Sequence, residues 1–244
     1  MTDSRYLKRT ILKEEMFSQF LNETRNLRIY LPPGYNELLS YPVVYCQDGE
    51  EFFNFGRIAT TANRLILDEG IEPFIIVGVE VNVKVRTQEY APFGSLFDKY
   101  TSAFAEEIIP FIEAKYPVRR SKDERILAGD SLGGSVSLHL ALMYPDLFSK
   151  VISMSGAFYE ESQEIYAQAN DLSWLKIWMI VGLQERDFEA DTGVYDFVDL
   201  NRKTRKLLED RGAAVTYAEK DGKHQWGFWQ NELPDALIHF LNKG

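Results

Sequence analysis

Gly129-Asp130-Ser131-Leu132-Gly133 reads as a sharp turn between a strand and a helix. A serine between two glycines in this pattern can sit on a strained turn that lifts its hydroxyl toward an incoming carbonyl. The glycines let strand and helix approach closely. Upstream, Arg125-Ile126-Leu127-Ala128 is a short apolar strand signal. Downstream, Ser135 to Met143 is apolar enough for a buried helix that closes near Tyr144-Pro145. Strand, tight turn, helix is the context a serine nucleophile needs.

Working outward, Tyr6–Ser18 and Leu27–Leu31 read as two early strands closed by Pro32-Pro33-Gly34. Pro42–Cys46, Phe74–Val81, Val151–Met154, Ile177–Val181 and Val215–Glu219 read as further strands. Helices are expected over Ile58–Glu69, Tyr100–Tyr116 with a kink at Pro110, Asp199–Arg211 and Pro234–Asn242. Alternation of this kind predicts an α/β chain with a mostly parallel central sheet and helices on both faces. The more polar first strands fit an antiparallel edge. This is the element order of an α/β-hydrolase, expected as one domain over residues 1–244. The short stretch between Ser155 and Lys176 predicts no large lid.

Of the 244 residues 45% are hydrophobic and 14% aromatic, enough for a packed core. The net charge of −10 argues against nucleic acid and anionic membranes as partners, since phosphate recognition needs a basic face. No run approaches membrane-spanning length. Met1 to Glu15 alternates charged with apolar residues and predicts no ordinary signal peptide. With one cysteine, Cys46, no internal disulfide can form, and a cytoplasmic protein is expected. Nothing in the residues sets an oligomeric state.

A serine hydroxyl needs a base within hydrogen-bond reach. His139 lies two turns along the helix from Ser131 and is expected to pack, as is His239 in the final helix. His224 follows the last strand in Lys220-Asp221-Gly222-Lys223-His224-Gln225-Trp226, at the carboxyl end of the sheet where ligands bind, and is the candidate base. The orienting acid should follow Ile177–Val181, where Glu185 and Asp187 both qualify. The oxyanion donors are expected to be the backbone N–H groups of Leu132 and Glu50, the latter aimed by a turn at Gly49. Asp48, Phe52, Phe53, Tyr90, Trp226 and Trp229 are the candidate substrate contacts, with Phe93 a further aromatic of an open rim. The acidic stretches Glu160-Glu161 and Glu185 to Asp191 have no histidine or cysteine at ligand spacing. No metal and no cofactor is expected.

At this point the chain resembles the putative-esterase family of α/β-hydrolases, which includes esterase D-like enzymes, feruloyl esterases, enterochelin esterases and mycolyltransferases. The resemblance rests on Arg28-Ile29-Tyr30-Leu31-Pro32-Pro33-Gly34-Tyr35, Asp48-Gly49, Phe111 to Val118, Ala128 to Gly134, Tyr144 to Phe148 with Ser153-Met154-Ser155-Gly156, and His224-Gln225-Trp226 with Trp229. It implies Ser131 as nucleophile and His224 as base. It selects Glu185, three residues past Gly182, as the acid, and makes Asp48-Gly49 the oxyanion loop. Lys223 departs from the second glycine that many relatives carry before the histidine. No strong basic cluster accompanies the site, so the anionic catecholates of the enterochelin branch are not expected as substrates. Gly-Asp-Ser-Leu also names another esterase superfamily, but there it lies near the N-terminus. The expected activity is hydrolysis of a small-molecule carboxylic ester through an acyl-enzyme. The alternatives are acyl transfer to an alcohol on the same residues, or a non-catalytic binding protein with a relic site.

Overall fold

The computed structural model describes residues 4–190 and 192–242, so Asp191 of the acidic stretch lies outside the described residues. A short helix, Ser4–Leu7 (α1), stands where the first strand was expected to begin. Thr10–Ser18 (β1) and Glu23–Leu31 (β2) then form an antiparallel pair, with Thr10 opposite Leu31 and Ser18 opposite Glu23. Val43–Cys46 (β3) leads into Gly49–Asn54 (α2) and Ile58–Asp68 (α3). Ile75–Val79 (β4) is followed by Arg86–Tyr90 (α4) and Phe97–Ala103 (α5).

Next comes Ile109–Lys115 (α6), joined to α5 without a break by a π-helical turn over Phe104–Ile108. The kink expected at Pro110 is absorbed here. Ile109 N–H bonds the Phe104 carbonyl five residues back, and this wider turn sits where proline has no N–H to give.

Arg125–Asp130 (β5), Leu132–Met143 (α7), Lys150–Met154 (β6), Glu160–Gln168 (α8) and Lys176–Gly182 (β7) continue the alternation. Phe188–Ala190 (β8) and Gly193–Tyr195 (β9) form a small separate hairpin. Phe197–Glu209 (α9), Ala214–Lys220 (β10) and Trp226–Leu241 (α10) complete the chain. The last helix starts two turns before Pro234, which lies inside it rather than at its first position.

The main sheet has the order β1-β2-β4-β3-β5-β6-β7-β10. Within it only β1-β2 and β2-β4 pair antiparallel, and β4, β3, β5, β6, β7 and β10 run parallel. This is the mixed α/β architecture expected from the alternation. β3, β4 and β5 are buried along their whole length, as the apolar runs of β3 and β4 and the apolar centre of β5 require of strands covered on both sides. One face packs Tyr30, Val44, Ile76 and Ile126 against α3 and α10. The other packs Ile29, Tyr45, Val77 and Leu127 against α5 to α9.

Among the histidines, His139 is buried and its Nε2 lies 3.0 Å from Ser162 Oγ. Burial pushes it down to about 3. His239, expected to pack, is instead exposed on the outer side of α10, its Nε2 3.5 Å from Thr216 Oγ1. No helix among the described residues is long and apolar enough to cross a membrane.

Candidate active site

Ser131 has φ 52° and ψ −124°, outside the regions open to ordinary residues. The surroundings hold it there. Its N–H donates to the Met154 carbonyl at 2.9 Å, and its carbonyl accepts from Ala157 N–H at 2.9 Å. A Cβ on Gly129 would stand 2.1 Å from the Gly133 carbonyl carbon, so strand and helix touch through glycine. Such strain costs about 1–3 kcal/mol and persists only where packing over-determines it.

His224 follows β10 and Glu185 follows β7, its parallel neighbour. The two loops are stapled by Leu183 N–H to Lys220 O at 2.8 Å and Gln184 N–H to Gly222 O at 3.0 Å. His224 Nδ1 lies 2.6 Å from Glu185 Oε2. Glu185 is 1% exposed, and its Oε1 accepts from Gly182 N–H at 2.8 Å and Ser155 Oγ at 2.7 Å. Trp229 Nε1 donates to Ser155 Oγ at 2.8 Å, while the hydroxyl gives its proton to the carboxylate, which can only accept. Phe188, Phe197 and Trp229 surround the imidazole with ring centroids 4.2, 4.3 and 4.8 Å away. Asp187 is exposed, and Lys223 is exposed too.

Asp48 is left-handed at φ 50° and starts α2. Its carbonyl accepts from Glu51 and Phe52 N–H, so Gly49 and Glu50 N–H belong to the first turn, which has no intrahelical acceptors. Leu132 N–H stands likewise at the start of α7. The Glu50 side chain is exposed and taken by Arg28 at 2.9 Å.

The structure corrects the expected substrate contacts. Asp48 is buried and its carboxylate is fully engaged by Arg86, Nε to Oδ1 and Nη2 to Oδ2 both at 2.7 Å. Phe52, Phe53 and Tyr90 are core residues of α2 and α4, because these segments are helices with an inward apolar side. Trp229 lies behind His224, and Trp226 packs edge-on against Phe52 while donating to Glu51 Oε2 at 2.9 Å. Phe93 is exposed and stacks on Tyr159 at 6.5 Å.

The cleft that contains Ser131, Leu132 and His224 has a volume of about 280 Å³. Its other walls are Arg86 and Thr87 of α4, Tyr159 before α8, and Phe188, Glu189, Ala190 and Thr192 of the hairpin. None of these was singled out from the sequence. The usable signal was positional: each follows the carboxyl end of a parallel strand.

α4 is anchored from below. Glu89 pairs with Arg25 at 2.7 Å, both nearly fully buried, and Tyr90 OH accepts from Asp48 N–H at 3.2 Å. Arg86 therefore enters the cleft from a fixed base. Asp130, beside it, is buried with Oδ1 unpartnered, and burial together with the Asp48 charge raises its carboxyl well above the usual range. Among the described residues no group of His, Cys, Asp or Glu could hold a metal ion.

Comparison with known proteins agrees with this architecture. The family model described as "Putative esterase" matches residues 18–240. "Uncharacterized protein YjcH" of Bacillus subtilis (strain 168) is 36% identical over 234 residues, covering 95% of this chain and 98% of that protein. Among solved structures, a ferulic acid esterase superposes with a TM-score of 0.82 at 22% identity, covering 96% of this chain and 98% of that one. The enterobactin esterase FES from Shigella flexneri gives 0.79 at 20% identity, covering 94% of this chain and 59% of that one. The chain belongs to the "Putative esterase" family and is a carboxylic ester hydrolase.

Proposed function

We propose that this esterase works by covalent catalysis, with Ser131 as nucleophile, His224 as base and Glu185 as the orienting acid. The observation that carries the reading is the 2.6 Å contact of His224 Nδ1 with buried Glu185, in the cleft that holds Ser131 on its strained turn. Glu185 keeps the Nδ1 proton, so Nε2 is the free acceptor. Ser131 Oγ attacks the ester carbonyl as its proton passes to His224 Nε2. The tetrahedral oxyanion takes hydrogen bonds from Leu132 and Glu50 N–H, both at helix starts where the dipole favours negative charge. His224 then protonates the leaving alcohol, and the acyl-enzyme forms. Water, deprotonated by His224, attacks the acyl carbonyl and releases the acid with Ser131 restored.

The small cleft, with Phe188 and Tyr159 beside Arg86 and Glu189, suits a short or aromatic acyl group with polar substituents better than a long alkyl chain. The similar fold of a ferulic acid esterase supports the same class. A cytoplasmic site of action fits Cys46, a buried free thiol.

The test is labelling by a fluorophosphonate and turnover of small aryl esters. Wild type should label on Ser131, while Ser131→Ala should not label and should lose at least about a thousandfold in turnover. Retained turnover in a folded, pure Ser131→Ala protein would remove the nucleophile. Trapped acyl-enzyme that partitions to an added alcohol rather than to water would turn the reading toward acyl transfer.

A further inference from the structure

β1 lies at the end of the main sheet, and among the described residues no strand pairs with its outer edge. It is nine residues long and pairs with β2 in unbroken register, so its other side presents a regular row of unpaired backbone donors and acceptors. Proteins blunt such edges with charge, proline or a bulge. Here the edge carries exposed apolar side chains on either side of its charges: Ile11, Leu12 and Phe17 are 39%, 39% and 52% exposed.

The sequence of the edge, Thr10-Ile-Leu-Lys-Glu-Glu-Met-Phe-Ser18, is self-complementary about Glu14. A two-fold axis perpendicular to the sheet keeps the same face up in both copies, so only registers that pair residues of equal parity are open. Centring on Glu14 sets Thr10 opposite Ser18, Ile11 opposite Phe17, Leu12 opposite Met16 and Lys13 opposite Glu15. Every apolar residue meets an apolar one, and each charged flank meets its opposite. Shifting by one step either way destroys this. Centring on Lys13 opposes Lys13 to itself and Ile11 to Glu15. Centring on Glu15 opposes Glu15 to itself and Lys13 to Phe17.

Inside its own copy, Lys13 stands across from Arg28 of β2, a like charge already committed to Glu50 and Glu80. Glu15 stands across from Asn26. Among the described residues neither Lys13 nor Glu15 has a side-chain partner, and both are exposed. The like pair at the centre is already answered, since each Glu14 is bound by Lys115 at 2.5 Å and Tyr116 at 2.8 Å. The opposite edge of the sheet lacks this property when the whole strand is paired. Centring β10 on Tyr217 would set Val215 against Glu219 and Ala214 against Lys220.

We propose that two copies of this chain join β1 to β1, antiparallel and centred on Glu14, into one continuous sheet. The complementary charge and apolar pattern of the edge commits it to a second copy of itself.

Sedimentation or light scattering of the purified protein at up to about 100 µM, where a complex with Kd below about 10 µM is well populated, should give twice the 28.2 kDa of the chain. Lys13→Glu and Glu15→Lys should each weaken the dimer about tenfold to thirtyfold, because symmetry converts two cross-strand pairs from opposite to like charge. The double variant Lys13→Glu/Glu15→Lys restores the opposition and should return the dimer. Circular dichroism checks that all three are folded. A monomeric wild type at the highest concentration would overturn the proposal. So would a dimer indifferent to the single variants, or a folded double variant that stays monomeric.

Discussion

Replacing Glu185 by glutamine isolates what the carboxylate does for His224. The amide is nearly the same size, and the surroundings dictate its orientation. Gly182 N–H at 2.8 Å and Ser155 Oγ at 2.7 Å both donate to Oε1, so the amide oxygen must stay there. The Gly182 backbone N–H can only donate, so it fixes the oxygen there whichever way the Ser155 hydroxyl turns. The amide nitrogen then takes the place of Oε2, 2.6 Å from His224 Nδ1, and it can only donate. Nδ1 becomes an acceptor and the ring proton moves to Nε2, where it blocks uptake of the serine proton. A reversed tautomer of this kind costs up to about four decades in turnover, or about 5.4 kcal/mol at 1.36 per decade. The loss of a charge-assisted bond should cost about 1.5–3 kcal/mol of stability, so turnover must be measured well below the melting temperature. The assay is kcat on an aryl acetate for wild type, Glu185→Gln and the exposed control Asp187→Asn. The control should stay within about twofold. A folded Glu185→Gln protein within tenfold of wild type, or a collapse seen only in Asp187→Asn, would refute the tautomer argument.

Three further outcomes follow from the packing around the site. Burial lowers His139 from 6.5 to about 3, so between those values the unfolded chain binds a proton that the folded chain refuses. Its contribution is complete above about 6.5 and is lost as pH falls toward 3; denaturant titrations should show His139→Gln flattening that slope by about 1.4 kcal/mol per pH unit. Gly129→Ala, whose Cβ would lie 2.1 Å from the Gly133 backbone, should cost about 3 kcal/mol or more, read as a fall in Tm or loss of soluble protein. Ser155→Ala strands the buried Trp229 N–H and removes one hold on Glu185; thermal unfolding should register about 1–3 kcal/mol and kcat should fall about tenfold, and an unchanged Tm would contradict the network.

Much of the fold was legible because its strands are continuous apolar runs and its helices have clear stops. Val43–Cys46 and Ile75–Val79 needed no tertiary information. Short helices did not announce themselves. Gly49–Asn54 and Arg86–Tyr90 have too few residues for a period to appear, and their aromatics looked like loop residues free to face a ligand. That is why Phe52 and Tyr90 were placed at a rim and proved to be core. Ser131, His224 and the two acids Glu185 and Asp187 stood out because each follows a strand, and between the acids it was the family resemblance that selected Glu185. Arg86 did not stand out. Its place depends on the buried Arg25–Glu89 pair, between residues far apart in sequence, and on Asp48.

The positions that organise the cleft share a physical signature. Asp48, Ser131 and Ser155 are non-glycine residues with φ of 50°, 52° and 47°, and each comes just after a parallel strand, β3, β5 and β6. Adjacent strands in the sheet thus end in left-turning residues, at about 1–3 kcal/mol each. Glycine would relieve the strain at all three, but glycine has no side chain. Asp48 clamps Arg86, Ser131 lines the cleft, and Ser155 links Trp229 to Glu185. The turn is needed to aim the group, and the group is needed by its neighbour. Strain is therefore retained where a polar atom must leave the sheet in a fixed direction. The flanking Gly49, Gly129 and Gly156, whose Cβ atoms would collide with neighbours, supply the close packing that holds it.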